Sequence, residues 1–328
     1  MIYPKRLKDA DKILLTSFSS TSINPTDLEA KIARFEGENG LKIHIDKSLL
    51  GTKGRSENLS KYRERMTNCI NNIDLHDISA LFSIRGGFSI TDILLNSKVD
   101  IDKLMEKIIE KKAIVLGYSD NTLLSDYLTL TYGYVTYHTP NFEGFYSWSQ
   151  NSQTLVAKLL KERFEHSFEI KKIKEPDSKN EELSGILISS NLECLTLSLA
   201  FTDKIHKELK EKGVILLLED IYTEPSQAFR YIEVLLMRFK NEGVSVNAII
   251  FGKFPHCKED NYESWRGKSF TDLLPNLLKY LEIPIFETDK VGHSESDGRI
   301  EGKEDEDYLA TPNGGFVTIK GGLLIYQL

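Results

Sequence analysis

The sequence is poor in cysteine, and the few cysteines it has form no recognisable pattern. Three occur in 328 residues, at Cys69, Cys194 and Cys257, far apart and without a CxxC pair. An odd number at such spacing argues against a disulfide framework and against a zinc knuckle. His256 stands beside Cys257, but no second pair exists to complete a metal site, so we expect no metal. This cysteine usage fits a reducing compartment and predicts a cytoplasmic protein.

Clustered positive charge and long apolar runs are also missing. The formal net charge is −7, and no basic block of useful length occurs. Binding to a phosphate backbone needs a clustered cationic surface, so nucleic acid is not an expected partner. The first residues, "MIYPKRLKDADKILLTSFSS", contain only the short apolar core "ILL". This segment is typical of neither a signal peptide nor a membrane span, so no membrane association is expected.

Short apolar runs alternate with amphipathic segments along the chain. "KILLTSF", "LKIHI", "ISALFSI" and "YVTYH" predict strands, and the segments between most of them predict helices, the first beginning with a capping box of Thr26 and Glu29. This alternation predicts an α/β fold with a mostly parallel sheet. A polar, Pro-broken stretch interrupts it, after which more strands and helices follow and a Gly-punctuated hairpin ends the chain. We therefore expect an N-terminal domain over residues 1–165, a linker over 166–184 and a C-terminal domain over 185–328.

The segment "AIVLGYSDNTLL" places Ser119 where a predicted strand turns into a predicted helix. One interpretation is a helix cap, because serine oxygens accept the unpaired N–H groups of a first helical turn. The other is a nucleophile elbow, in which a tight turn exposes the hydroxyl at the end of the sheet. The usual elbow has Gly two positions after the serine, and this chain has Asn121. The segment alone leaves both interpretations open.

A serine nucleophile needs a base and a group that orients the base. Among the histidines, His138 ends a predicted strand and His293 lies in a polar, glycine-flanked loop, and position alone does not separate them. The apolar run of "GVILLLED" leads directly into Glu219 and Asp220. Charges at the end of a buried strand either cap the next helix or orient a catalytic group.

The turn "RGGFS" also follows a predicted strand. Gly86 and Gly87 either serve a tight turn or let the backbone approach a substrate and direct an N–H at a developing oxyanion. Because parallel strands present their carboxyl ends at one edge of a sheet, we expect this turn and Ser119 to lie near one another.

Taken in order, these motifs resemble those of the LD-carboxypeptidases and their microcin-immunity relatives. "RGGFS" resembles the family's Arg-Gly-Gly-Tyr-Gly turn, "VLGYSDNTLL" its nucleophile segment, "LLLEDIYTEP" its acidic strand end and "VGHSES" its histidine loop. "YHTPNF" is similar to a His-Gly-Pro segment that does not supply the base. The resemblance implies an N-terminal flavodoxin-like α/β domain and a C-terminal α/β domain with its own sheet, an active site between them, and a homodimer.

The resemblance also implies roles for particular residues. Ser119 would be the nucleophile, His293 the base and Glu219 the residue that orients the base. The oxyanion donors would be the backbone N–H of Asp120 and one from the Gly86–Gly87 pair. Such chemistry requires neither a metal nor an organic cofactor.

Three departures from the family pattern concern substrate fit. Ser189 and Ser190 stand where the family usually has Gly-Gly before Asn191, a candidate substrate-binding residue. Ser89 replaces the last glycine of the turn, and the tripeptide "SES" after the histidine is unusually acidic.

Arg85 is a second candidate for substrate binding, and two roles are open to it. It either meets the terminal carboxylate of a substrate or pairs with a neighbouring acid such as Asp120 and holds the turn.

These features lead to three functional hypotheses. The first is a carboxypeptidase that releases terminal D-alanine from murein tetrapeptide during cell-wall recycling. The second is an immunity-type hydrolase that cuts the amide joining a peptide's terminal aspartate to a nucleotide. The third is a binding protein whose Ser, Glu and His are idle. The Arg of "RGGFS" favours the first hypothesis over the second.

Overall fold

The chain builds two β-sheets flanked by helices. The computed structural model describes residues 1–16, 18–19, 25–45, 59–87, 90–174, 182–294 and 306–328. Its strands are, in chain order, β1 (Lys12–Thr16), β2 (Lys42–Ile45), β3 (Ile78–Ser83), β4 (Ile114–Gly117), β5 (Thr136–His138), β6 (Glu165–Glu169), β7 (Lys171–Lys174), β8 (Glu182–Asn191), β9 (Val214–Glu219), β10 (Val246–Phe251), β11 (Ile285–Glu287), β12 (Thr311–Asn313), β13 (Phe316–Lys320) and β14 (Leu323–Gln327).

The helices lie between these strands. They are α1 (Pro25–Asn39), α2 (Leu59–Leu75), α3 (Ile90–Lys111), α4 (Thr122–Tyr132), α5 (Gln150–Lys161), α6 (Leu192–Phe201), α7 (Lys207–Lys212), α8 (Pro225–Asn241) and α9 (Phe270–Leu278). Among the described residues, no helix is both long and apolar enough to cross a lipid bilayer.

The first sheet has the strand order β12-β5-β4-β3-β1-β2. Its strands β1 to β5 are parallel and follow the flavodoxin-like order 2-1-3-4-5. Strand β12, from the far end of the chain, adds antiparallel to β5. The predicted flavodoxin-like sheet is confirmed, with one extra strand from the C-terminal part of the chain.

The second sheet has the order β6-β14-β13-β8-β9-β10-β11-β7. Strands β8 to β11 are parallel, whereas β6, β7, β13 and β14 run antiparallel to their neighbours. The predicted C-terminal hairpin is β13 paired with β14.

Both faces of the parallel strands are buried, which is why those strands read as continuous apolar runs. In β9, Ile215 and Leu217 pack in the core that lies between the two sheets, and Leu216 and Leu218 pack under α6 and α8. The side-chain period of two divides the run between two cores. Polar side chains can therefore reach solvent or a ligand at the carboxyl ends of these strands.

Two expectations about element boundaries were wrong. Much of the expected linker is not a linker, because β6, β7 and the first residues of β8 within 166–184 are strands of the second sheet; residues 175–181 lie outside the described residues. Pairing with β14 and β11 makes these polar segments edge strands, whose charged side chains face solvent. The capping box is also misplaced, since α1 begins at Pro25 and Thr26 lies within its first turn.

Candidate active site

Ser119 lies in a sharp turn at the end of β4. Its φ angle is 62°, a left-handed conformation that non-glycine residues rarely adopt and that costs on the order of 1–3 kcal/mol. A single 3₁₀ turn, Ser119–Asn121, separates the strand from α4, whose N-cap residue is Asn121. Ser119 is therefore not the helix cap, and its geometry is that of a nucleophile elbow.

Hydrogen bonds from neighbouring segments hold this elbow. The side chain of Asn121 donates to the carbonyl of Arg85 at 2.9 Å, and Asn141 Oδ1 accepts from the backbone N–H of Tyr118 at 3.2 Å. Gly86 packs directly against the serine, because a Cβ at this position would lie 2.9 Å from both Cβ and Oγ of Ser119. The Arg-Gly-Gly turn and the elbow thus form one unit, and the glycine is needed for their close approach.

Glu219 and His293 are brought together by the second sheet. Glu219 is the last residue of β9 and is fully buried. Gly292 has a φ of 121°, and a Cβ there would lie 3.0 Å from Glu219 Cβ and 2.9 Å from the backbone nitrogen of Lys253. The histidine loop can therefore lie flat against the ends of β9 and β10 only with glycine at this position.

The three side chains form one chain of hydrogen bonds. His293 Nε2 lies 3.2 Å from Ser119 Oγ, and its Nδ1 lies 2.5 Å from Glu219 Oε2. The same carboxylate oxygen also accepts the backbone N–H of His293 at 3.2 Å. Nucleophile, base and orienting acid in this sequence are the arrangement that activates a serine hydroxyl.

Burial and the neighbouring imidazole act in opposite directions on Glu219. Burial alone would raise the pKa of Glu219, but the charge and hydrogen bonds of His293 outweigh it and lower that pKa below its usual range. The carboxylate therefore stays ionised, as a group that fixes the imidazole tautomer must. Next to it, burial and the charge of Glu219 raise the pKa of Asp220 to about 7.

A cavity of about 450 Å³ opens beside the serine. Ser119, Asp120, Gly87 and Asn191 line it, so the structure brings these residues to the same place. The side chain of Asn191 caps α6, with Oδ1 accepting from Cys194 N at 3.1 Å. A second cavity of about 460 Å³, at the ends of β10 and β11, is lined by none of the expected site residues that the structure describes.

The rival histidine lies deeper in the protein. His138, at the end of β5, is 1 % exposed, and its partners are Ser189 Oγ at 3.0 Å and the Tyr308 hydroxyl at 3.1 Å. The geometry therefore separates His138 from His293, which sequence position did not.

Two family models match the chain where these residues lie. The model of the LD-carboxypeptidase N-terminal domain matches residues 13–139, and that of the C-terminal domain matches residues 184–299. The chain belongs to the LD-carboxypeptidase family. A Rickettsia conorii protein provisionally named a carboxypeptidase is 28 % identical over 266 residues, which are 78 % of this chain and 76 % of that protein.

Solved structures share the fold of this LD-carboxypeptidase family member. The muramoyltetrapeptide carboxypeptidase from Oxalobacter formigenes is similar at a TM-score of 0.69 and 19 % identity, covering 96 % of this chain and 98 % of its own. The microcin C7 self-immunity protein MccF, solved with adenosine monophosphate, is similar at a TM-score of 0.71 and 18 % identity, covering 100 % and 98 %. At such identities the likeness establishes the fold alone.

The serine pair that replaces the family's usual Gly-Gly is accommodated by polar neighbours. Ser189 Oγ lies 2.7 Å from Thr311 Oγ1 and also contacts His138, and Ser190 donates to Asp126 Oδ2 at 2.6 Å. Both serines are fully buried at the end of β8, so their hydroxyls bind protein groups and do not face the cavity. Ser89 and the last two residues of "SES" lie outside the described residues.

Arg85 pairs with an acid, but with a different one from that expected. Its Nε lies 3.5 Å from Glu143 Oε2. Asp120 instead accepts hydrogen bonds from Ser19 Oγ at 2.5 Å and from the backbone N–H of Ile90 at 3.3 Å. The sequence could not identify Glu143, because it lies in the loop after β5 and reaches Arg85 only through the fold.

Several polar residues of the site were missed from the sequence. Glu193 and Tyr222 line the cavity, and Asp126 is fully buried against Ser190. Burial raises the pKa of Asp126 to about 8, against the lowering effect of its hydrogen bonds with Ser190 and Asn313. The one available signal was Asp126 itself, the single charged residue of helix α4. Among the described residues, no cluster of three His, Cys, Asp or Glu side chains could hold a metal.

Proposed function

We propose that this protein is a serine carboxypeptidase that releases terminal D-alanine from murein tetrapeptide. The observation that carries the proposal is the hydrogen-bonded chain from Ser119 Oγ through His293 to the buried Glu219, at the edge of a cavity large enough for a short peptide. The left-handed backbone of Ser119 supports the role of nucleophile.

In the first half of the reaction, Ser119 Oγ attacks the carbonyl carbon of the residue before D-alanine, and His293 Nε2 takes the hydroxyl proton. Ionised Glu219 stabilises the imidazolium that forms. The tetrahedral oxyanion would be bound by the backbone N–H of Asp120 and one from the Gly86–Gly87 turn. The C–N bond then breaks, His293 returns the proton to the departing amine of D-alanine, and an ester to Ser119 remains.

Water completes the cycle by the reverse steps. His293 takes a proton from the water as its oxygen attacks the ester carbonyl, and then returns that proton to Ser119 Oγ as the C–O bond breaks. The products are the tripeptide and D-alanine, and no metal or cofactor takes part.

A second candidate function is hydrolysis of the amide that joins a terminal aspartate to a nucleotide. The resemblance of the sequence motifs to those of the microcin-immunity relatives supports it, and both substrates would use the same three side chains. The arginine of the "RGGFS" turn favours the tetrapeptide through the family resemblance, because the immunity relatives often have a Gly-Gly turn without that arginine.

The two functions are separated by incubating the purified protein with murein tetrapeptide and, separately, with a peptidyl-aspartyl nucleotide. If the protein is the carboxypeptidase, mass spectrometry would detect D-alanine and a tripeptide from the tetrapeptide, and the nucleotide substrate would stay intact. Release of nucleotide alone would assign the second function. If neither substrate is cleaved and a fluorophosphonate leaves Ser119 unlabelled, the protein is a binding protein on this fold.

Two further properties stay predictions. A homodimer is implied by the family resemblance, and sedimentation velocity would measure it. Location in the cytoplasm rests on cysteine usage, and fractionation of the source cells would test it.

A further inference from the structure

The two oxygens of Glu219 lie in unlike surroundings. Oε2 accepts from both the ring and the backbone of His293. Oε1 is buried, and no hydrogen-bond donor reaches it from the described residues. An ionised oxygen without a donor is costly in a buried site, so Oε1 calls for a partner.

His138 is the titratable side chain placed to be that partner. Its Nε2 lies 3.9 Å from Glu219 Oε1, on the side of the carboxylate that His293 does not occupy. Contacts between catalytic groups are often long before substrate binds and shorten in the reacting complex. Burial lowers the pKa of His138 to about 4, with the charge of Glu219 opposing this effect and that of His293 adding to it. The ring is therefore neutral at physiological pH and carries a single N–H.

The position of that hydrogen decides what His138 offers the carboxylate. If the hydrogen is on Nδ1, the ring donates it to Ser189 Oγ, and the Tyr308 hydroxyl donates to Nε2. Glu219 Oε1 then faces a ring nitrogen that carries no hydrogen. If it is on Nε2, the hydroxyl of Ser189 can donate to Nδ1, and the Nε2–H faces Tyr308 Oη and Glu219 Oε1. Only the second tautomer gives the carboxylate a donor.

The negative charge of Glu219 favours that second tautomer. The other groups that face the ring are His293, Tyr308 and Tyr118, the last with its ring centroid 6.4 Å away. Burial raises the pKa of both tyrosines, so their hydroxyls stay neutral and Glu219 is the dominant charge. Thr311 Oγ1, 2.7 Å from Ser189 Oγ, can donate to Ser189 once that hydroxyl has turned towards Nδ1.

We propose that His138 is a positioning residue that holds its proton on Nε2 and supports the ionised carboxylate of Glu219 from the side opposite His293. The proposal rests on the proposed function only for its effect on turnover. The tautomer itself is a property of the resting protein.

The first test reads the tautomer directly. Long-range ¹H–¹⁵N correlation spectra of ¹⁵N-histidine-labelled protein at pH 7.5 distinguish a protonated ring nitrogen from a bare one, and the signals that vanish in His138→Gln assign the residue. We expect a protonated Nε2 and a bare Nδ1. The reverse pattern would overturn the proposal, whether or not the protein hydrolyses any peptide.

The second test measures turnover with His138→Gln, whose amide can donate from nearly the position of Nε2, and with His138→Phe, which keeps volume but not the donor. We expect His138→Phe to lower kcat about 10- to 100-fold with KM within about twofold, and His138→Gln to recover most of the loss. Without the N–H of His138, the negative charge of Glu219 is less stabilised, and the His293–Glu219 pair binds a proton more readily. The acidic limb of the kcat/KM profile should therefore move to higher pH by about 0.5–1 unit in His138→Phe.

His166→Gln is the matched control, since His166 lies in β6 at the far edge of the second sheet and should leave the pH profile unchanged. If a folded His138→Phe kept the acidic limb of the parent's kcat/KM profile, His138 would have only a packing role. The same would follow if kcat of His138→Gln were no higher than that of His138→Phe. Because the spectra use the intact protein, the proposal stays testable even if His138→Phe does not fold.

Discussion

The two histidines that face Glu219 differ in what else they can reach. His293 is 7 % exposed and contacts Ser119 Oγ, which lines the cavity, whereas His138 is 1 % exposed and has the hydroxyl groups of Ser189 and Tyr308 as its hydrogen-bond partners among the described residues. Both residues are histidines and both face Glu219, so neither the residue type nor the shared acid explains why their roles differ. Access to the nucleophile and to substrate is what makes one histidine a candidate base and leaves the other as its support.

The largest effect is expected from removing the nucleophile that His293 contacts. We expect Ser119→Ala to stay folded and to lose about 10⁴-fold or more in kcat/KM for tetrapeptide, as other triad serines do. Release of D-alanine, measured by mass spectrometry, would check this. Ser167→Ala, an exposed serine on β6, should keep full activity. A Ser119→Ala enzyme within tenfold of the parent would remove Ser119 from the mechanism.

Replacing each histidine in turn separates the role of His293 from that of His138. We expect His293→Ala to lower the rate of acylation about a thousandfold or more, because no other base lies within reach of Ser119 Oγ among the described residues. His138→Ala should cost about 10- to 100-fold, because Ser119 and His293 remain in contact. Single-turnover kinetics would measure both, with circular dichroism to verify folding. A larger loss of turnover in a folded His138→Ala would reverse the two roles.

The buried Asp126, which is hydrogen-bonded to Ser190 and Asn313, can be tested through the stability of the protein. Its folded pKa of about 8 is raised by burial, so the folded protein keeps a proton that the unfolded chain releases near pH 4. This contribution is fully present at low pH and is lost as pH rises towards 8. Protonated Asp126 can donate to Ser190 Oγ and accept from Asn313 Nδ2, and the amide of Asp126→Asn can make the same two hydrogen bonds. Because the amide does not ionise, the variant does not lose this stability as pH rises.

The unfolding free energy of Asp126→Asn relative to the parent should therefore grow between pH 5 and pH 8, by up to about 1.4 kcal/mol per pH unit. Urea titrations of both proteins at several pH values would measure this difference in unfolding free energy. The titration of His138 and of other groups is common to both proteins and cancels in the difference. Asp289→Asn, on an exposed loop, should give a flat difference. A flat difference for Asp126→Asn as well would mean that Asp126 is ionised in the folded protein.

The smallest expected effect concerns Arg85. Because its side chain pairs with Glu143 and its carbonyl accepts from Asn121, we expect Arg85→Gln to loosen the turn beside Ser119. The loss in kcat/KM should be about 3- to 10-fold and equal for tetrapeptide and for an analogue with an amidated terminus. Arg34→Gln, which breaks an exposed ion pair on α1, is the control. A rise in KM confined to the free-carboxylate substrate would instead show that Arg85 binds that carboxylate.

Local patterns predicted most of the elements because their physical causes are local. The apolar run before Glu219 is a buried strand, and the chain after Ser119 is a helix, α4, which is buried on all sides over residues 122–130. Boundaries were less predictable where pairing decided them. The charged segment after residue 165 has the composition of a linker, and it became two edge strands only because β14 and β11 offer free edges.

Which residues lie at the carboxyl ends of the buried strands could be predicted from the sequence alone, since the apolar run of a strand that is buried on both faces ends where the chain leaves the core. The sequence thereby placed Ser119, Glu219 and the Arg-Gly-Gly turn at sheet edges. Which histidine contacts Ser119 depended on tertiary structure, because Ser119 follows β4 of the first sheet and His293 follows β11 of the second, 174 positions along the chain. The same holds for Glu143 beside Arg85 and for His138 behind Glu219. Such contacts depend on the relative placement of whole sheets, which no local pattern encodes.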